Sequence, residues 1–372
     1  MIYDFDRLPH YDVGGKKFLS TAQALREICA TGNPYRFSVF EKSWGQYDWT
    51  REPSQSWEEL LRQRCQQIRD QYDWVSLLYS AGRDSDLILQ CFIENKIPLD
   101  EVIIRRNIYD ISKPPIIDEV VVPIVKERLK NSPEIKLTIY DLNQQDIAKT
   151  FDENWMDQPG APGGYWTFHP VAWHSAIENR PDIFSQVDRG LKYTSILGLD
   201  KPKLKIEKDH WYMYIQDQGV QSQMHRGNLE WFYLTPDMPE LHAKQCWMAI
   251  RHAEENHRDK SIDWLNRWSK SGAWGLGADA FDDFSRAIGR RPSAHPIVGF
   301  GTDKKVAGDP LYQHWIDQSI EQNCPYAKRW KQGLDDLNSV AGSFAINSDM
   351  TLGSIGILGK SYQLKRHESS HQ

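Results

Sequence analysis

The stretch "WVSLLYSAGRDSDLILQCFIENK", residues 74–96, decides the fold. A short apolar run ends abruptly in small and charged residues, and a second apolar run then begins with a helical rhythm. The spacing predicts a buried strand ending near Tyr79 and a helix starting near Ser85. The turn between them holds two small residues, Ala81 and Gly82, so backbone can approach a ligand closely. The helix beyond presents unpaired N–H groups and the positive end of its dipole, an arrangement that suits an anion and above all a phosphate. Ser80 and Ser85 add hydroxyls and Arg83 adds charge. Asp84 would repel a bare phosphate, so it fits better as a magnesium ligand or as a cap on the turn. The same residues would equally make a tight strand–helix turn with Asp84 or Ser85 capping the helix.

Working outward, three more segments read as strands: "EVIIRRNIY" (101–109), "IKLTIYDL" (135–142) and "YTSILGL" (193–199). Each is rich in β-branched or aromatic residues and bounded by charged or turn-forming ones. Helices are expected over 85–95, 116–130, 144–155 and 170–180, with Pro123 kinking or stopping the second. Strand alternating with helix at this pitch predicts an α/β fold, a doubly wound, mainly parallel sheet with right-handed crossovers. Before it, "PSQSWEELLRQRCQQIRDQY" signals a helix, with Ser56 as N-cap and Glu59 three residues on. Residues 1–56 read as an N-terminal extension with one short helix at "TAQALREICA". Residues 57–205 read as the α/β domain, and 206–372 as a mixed α+β region. "MDQPGAPGGYWTFHP" (156–170) reads as a loop that could wall a site at the strand ends. "KLKIEKDHWYMYIQD" reads as a β-hairpin. "TPDMPELHAKQCWMAIRHAEENH" reads as a helix with Pro239 in its first turn.

At 372 residues the chain is long enough for a sizeable core, and its 26 % charged and 40 % hydrophobic composition is that of a soluble globular protein. A formal charge of −6 gives no pull toward nucleic acid or anionic membrane. The N-terminus lacks a secretory signal, and no apolar run is long enough to span a bilayer. The five cysteines (Cys29, Cys65, Cys91, Cys246 and Cys324) are scattered without a CxxC pair, which argues for a reducing cytoplasm and against a disulfide framework or cysteine-based zinc. Fifteen tryptophans fit packing, with stacking on a nucleobase as the alternative.

The turn matches neither GxxxxGK[ST] nor GxGxxG. Ser80-Ala81-Gly82-Arg83-Asp84-Ser85 instead resembles the SGGxDS signature of the PP-loop ATP pyrophosphatase superfamily (HUP-like, or adenine nucleotide alpha hydrolase-like), with Ala81 in place of the first glycine. If that position requires positive φ, alanine is strained there. A second element, "SILGLDKPKL" (195–204), ends the fourth strand with Gly198, Asp200 and Lys201. It resembles the later motif of these enzymes, in which a lysine reaches the ATP phosphates and an acid helps hold magnesium. The resemblance spans about residues 57–205. Within the superfamily it is closest in character to PAPS reductase-like and asparagine synthetase-like proteins, often carried by phages.

The resemblance implies an enzyme that uses ATP and Mg2+. A substrate oxygen would attack the α-phosphate of ATP and release pyrophosphate. An amine, ammonia or similar nucleophile would then displace AMP. The turn 80–85 would hold pyrophosphate, Lys201 with Arg83 would offset its charge, and Asp84 and Asp200 would ligate magnesium. Adenine would lie near Arg105 to Asn107. Residue 2 is Ile2 rather than cysteine, and no paired or C-terminal cysteine motif is present, so an adenylating ligase acting on a small molecule or nucleotide base is expected. The alternatives are a nucleotide-binding regulatory or assembly protein without catalysis, and a PAPS reductase-like redox enzyme. His169 with His174, and His252 with His257, lie five apart rather than at the i, i+4 spacing of a zinc helix, and read as structural. "GFGTDKKVAGD" (299–309) reads as a solvated loop.

Overall fold

Parallel strands cannot be joined by tight turns, so each return to the sheet requires a crossover, and the chain makes several. The computed structural model describes residues 4–107, 117–142, 155–157, 181–198, 202–217, 228–269, 276, 278–290 and 357–367, with isolated positions between 328 and 339. In chain order the N-terminal elements are β1 (His10–Val13), β2 (Lys16–Phe18), α1 (Thr21–Thr31), β3 (Tyr35–Ser38) and α2 (Glu41–Trp44). Next come α3 (Trp57–Gln71), β4 (Trp74–Leu78), α4 (Arg83–Glu94), β5 (Glu101–Asn107), α5 (Val122–Arg128) and β6 (Lys136–Leu142). Then follow α6 (Pro181–Val187), β7 (Tyr193–Leu197), β8 (Lys203–Glu207), β9 (His210–Tyr214) and β10 (Asn228–Trp231). The last are α7 (Pro239–Asn256), α8 (Ile262–Trp268), α9 (Ala278–Ala287) and β11 (Tyr362–Arg366).

The centre is a five-stranded sheet in the order β10-β7-β4-β5-β6 with every pair parallel, so the fold is α/β. One face packs Val75, Leu77, Val102, Ile104 and Ile196 under α3, α4 and α5. The other packs Leu78, Ile103, Tyr193 and Leu197 against Ile183 of α6. Strands buried on both faces are largely apolar, and the polar members of "WVSLL" and "YTSIL" are hydrogen-bonded in place, Ser76 to Glu101 and Ser195 to the Tyr193 hydroxyl.

All four expected strands are present. The first stops at Leu78, one residue before Tyr79, because the chain turns into a left-handed conformation at Ala81. Residues 108, 109 and 199 lie outside the described part. The fifth strand, β10, lies beyond residue 205 and had no expectation attached to it; nor had α6. The expected helix over 116–130 is present from Ile117 to Arg128, without a stop at Pro123. A π-turn (Ile117–Val121) leads into α5, whose first turn takes Pro123, where a missing N–H costs nothing. Residues 144–154, 158–180 and 299–309 are outside the described residues, and Trp155–Asp157 forms one 3-10 turn.

Residues 10–38 form a three-stranded antiparallel sheet, β2-β1-β3, where only α1 was expected. The hairpin β8–β9 forms as expected, turning through Lys208 and Asp209, both at positive φ as a two-residue type I′ turn requires. β11 adds to its edge. These two small sheets share a core with α7, α8 and α9 through Tyr11, Trp44, Trp211, Met213, Cys246, Trp268 and Phe284. Among the described residues no helix is long and apolar enough to cross a membrane.

Candidate functional site

Ligands of open α/β sheets sit outside the carboxyl ends of the strands, where the strand order reverses. Here the chain runs from β4 to β5 and β6 on one side, then returns to place β7 and β10 on the other. The reversal lies beside β4, whose carboxyl end is the turn 79–82.

Local hydrogen bonds shape that turn. Tyr79 N–H still bonds the carbonyl of Ile103 at 2.9 Å. The Ser80 amide donates to Ser85 Oγ at 3.2 Å, Ser85 Oγ donates to the Gly82 carbonyl at 3.2 Å, and the two serine hydroxyls lie 3.3 Å apart. Ser85 is therefore the pin that closes the turn, with its proton committed to Gly82. Ala81 is fully buried at φ 55°. The position that the resemblance assigns to glycine does require the left-handed region, and alanine occupies it at a strain of roughly 1 kcal/mol.

α4 starts at Arg83, two residues before the expected start, with Gly82 as N-cap, a residue that has no side chain to accept from the first-turn amides. Neither Asp84 nor Ser85 caps the helix, which corrects the capping alternative. The first-turn amides consequently have no intrahelical acceptor, and the helix dipole makes this end positive. Gly198, one residue past β7, lies against the same turn. A Cβ there would stand 3.1 Å from Asp84 Cβ and 2.9 Å from Ile88 Cδ1. The ends of the first and fourth strands are thus brought together. Asp200 and Lys201 lie outside the described residues.

The two charges of the turn are engaged by distant parts of the chain. Arg83 pairs with Asp282 of α9 and lies 6.0 Å from the ring centre of Phe281. Asp84 Oδ1 lies 2.5 Å from Nη2 of Arg290, a guanidinium whose side chain is only 2 % exposed. The contact is a charge pairing without an aligned hydrogen bond, and Arg290 Nε finds no acceptor. Asp84 is the one carboxylate of the expected magnesium pair within the described residues, and Arg290 already neutralises it. The described donor set therefore suits an anionic polyphosphate better than a bare cation. Tyr233 approaches the same backbone, its hydroxyl 3.4 Å from the Asp84 carbonyl.

Below the turn, Asp86 is buried and receives Tyr79 Oη at 2.9 Å and Arg128 through Nε at 3.0 Å and Nη2 at 2.9 Å. It fastens α4 to α5. Arg290, Asp282, Tyr233 and Arg128 were all missed by sequence reasoning. Nothing local marks them, since Asp282 stands 199 residues from its partner.

At the expected adenine position, β5 outruns β4. The last paired residues are Leu78 and Ile103, while β5 continues to Asn107 against β6 alone. Backbone groups of residues 104–107 on the β4 side are left out of the ladder. Arg106 is held at this end by Asp141, at 2.5 and 2.8 Å, and by Asp118 at 2.7 Å. Those pairs raise its pKa further and draw Asp141 below the usual carboxylate range.

Among the described cysteines, Cys65, Cys91 and Cys246 are buried. Burial pushes the Cys65 and Cys246 thiols up, so neither is a ready thiolate. No family model and no curated protein matches this chain.

Proposed function

We propose that the chain is an ATP-dependent adenylating enzyme of the PP-loop type, converting ATP to AMP and pyrophosphate while activating a substrate oxygen for attack by an amine or ammonia. The observation that carries this reading is the uncapped start of α4 at the reversal of strand order, behind a left-handed Ala81 and beneath Gly198. The amides of residues 81–85 would hold the β- and γ-phosphates, with the Ser80 hydroxyl, exposed at the rim, as a further donor. Lys201 would close over them, three residues beyond Gly198. Arg83 and Arg290 are the further cations beside the cup, and their charge would offset what builds on leaving pyrophosphate. Asp84 and Asp200 would hold Mg2+, once Asp84 exchanges Arg290 for the metal. Adenine would lie along the open edge of residues 104–107. The chemistry is positioning and electrostatics, without a covalent enzyme intermediate.

A second reading is favoured by one observation. Arg83 and Asp84 are already paired with Asp282 and Arg290, which suits a protein that binds nucleotide without turning it over. For the redox reading, three of the four described cysteines are buried and Cys29 alone is exposed.

Calorimetry with MgATP tests the shared part. Binding is expected for the wild type and at least tenfold weaker for Lys201→Ala, which loses about 1.4 kcal/mol or more at the phosphates. Equal affinity in the two proteins, or no binding to either, refutes the site. Pyrophosphate–ATP exchange across small-molecule and nucleobase acceptors then separates the readings. Exchange with any acceptor supports the enzyme, and binding without exchange supports the regulatory protein.

A further inference from the structure

His252 and His257 look unremarkable in sequence because they are five residues apart, but they do not share one helix. His252 sits in the last turn of α7, whereas His257 is its C-cap, where the backbone leaves the helical conformation. The change of direction turns both rings toward α9. His252 Nε2 lies 2.9 Å from Asp283 Oδ1, and His257 Nε2 lies 2.6 Å from Asp283 Oδ2. One donor atom from each of the three residues falls within 4.8 Å of the others, the one such group of three metal-ligating side chains among the described residues.

We propose that His252, His257 and Asp283 form a binding site for a borderline first-row divalent cation, zinc foremost. Two imidazoles and one carboxylate are a donor set that such ions favour. At bond lengths of about 2.0–2.2 Å, tetrahedral ligand atoms stand roughly 3.3 Å apart. The separations from His252 Nε2 to Oδ1 and from His257 Nε2 to Oδ2 fall short of that by about 0.4 and 0.7 Å, so a small shift of the carboxylate makes room for the ion. Replacing the two bridging protons by one ion would keep all three side chains in place. The side chains are 24 %, 16 % and 19 % exposed, which leaves one face of the ion to water as a fourth ligand.

The surroundings already orient the ligands, as outer partners of metal sites do. Trp268 Nε1 donates to Asp283 Oδ2 at 3.1 Å. The same indole stacks on the His252 ring at 6.0 Å and 10°. Trp264 packs on the His257 ring at 4.8 Å. Arg286 Nη2, 3.5 Å from Asp283 Oδ1, is the weaker competitor for the carboxylate, and its side chain is 61 % exposed.

The ion would tie the C-terminus of α7 to the middle of α9. The residue before Asp283 is Asp282, which holds Arg83, and Arg290 follows three residues after α9 ends. A cation here would fix the helix that carries both to the phosphate-facing turn.

The test uses the full chain freed of metal by chelation, then titrated with Co2+ and with Zn2+. One equivalent of Co2+ is expected to give the visible bands of a four-coordinate ion, Zn2+ is expected to displace it, and Zn2+ is expected to raise the melting temperature. His257→Gln keeps a hydrogen-bond donor for Asp283 while removing the ligand, and is expected to weaken Co2+ binding at least tenfold. Asp283→Asn is expected to do the same. No saturable one-equivalent binding by the wild type overturns the site, as does undiminished binding by folded variants. Should both variants fail to fold, X-ray absorption of the Co2+ wild type decides: two bound imidazoles support the site, and any other number overturns it. None of these readouts involves nucleotide, so the outcome is independent of the ATP reading.

Discussion

Ala81 is where the residue scale speaks most directly. The sequence identified a small residue in a tight turn and left open whether glycine was required; the backbone resolves the question with φ 55° at a fully buried position. No sequence pattern displays a dihedral angle, so the strain was invisible until the turn was built. Two substitutions measure it. Ala81→Val places a β-branched side chain in the left-handed region without space for it, and is expected to cost about 3 kcal/mol or more. Ala81→Gly relieves the strain but loses a buried methyl and makes the unfolded chain freer, effects of about 1 kcal/mol each that oppose. Its stability is therefore expected to stay within roughly 1 kcal/mol of wild type. Urea unfolding of the three proteins checks both, and a well-tolerated valine would contradict the left-handed assignment. Ser85 teaches the complementary lesson. Its type suggested a phosphate donor, yet its hydroxyl is spent closing the turn on Gly82.

Elements were legible where their signals are local. The capping box at the start of α3 follows from two residues three apart, and both of its bonds form. Ser56 Oγ accepts from the Glu59 amide at 3.1 Å, and Glu59 Oε2 accepts from the Ser56 amide at 2.7 Å. Ser56→Ala should lose about 1 kcal/mol of stability, and Ser56→Gly only a few tenths. Equal losses for the two, measured by urea unfolding, would mean that the cap bond contributes nothing. The same helix carries Arg64, which is fully buried and bonds Glu230 Oε2 at 2.8 Å and the Trp231 carbonyl at 3.0 Å. That pairing seats α3 against β10, the strand that escaped notice. β10 has four residues, "NLEW", and the strands of the N-terminal sheet have three or four, "HYDV", "KKF" and "YRFS". Segments so short carry too few alternations for a period to show. Their partners, not their own composition, make them strands.

At the scale of the whole molecule, contacts that join remote segments decide both the candidate site and the stability, and sequence spacing is silent about them. The turn was readable because strand, turn and helix are contiguous. Its partners on α9 were not, because they arrive from about 200 residues away. One joint of this kind makes a prediction about pH. His242 of α7 is fully buried, tilted against the Trp44 ring of α2 at 5.3 Å and 32°. Burial pushes its pKa from 6.5 down to about 3, against a smaller upward pull from the Tyr233 backbone. The unfolded chain therefore takes up a proton below pH 6.5 that the folded chain refuses until about pH 3. Stability from this group is complete above pH 6.5 and declines as pH falls toward 3, by up to about 1.4 kcal/mol per pH unit. His10, also buried and also shifted down, acts in the same direction. His242→Phe keeps a ring against Trp44 without a titrating group. Its free energy of unfolding is expected to start below that of wild type at neutral pH, since the cavity fits imidazole. It should then fall less steeply between pH 6.5 and 4.5, so that the two curves converge on acidification. Parallel curves would show that His242 is protonated in the folded protein, and that the joint between α2 and α7 admits water.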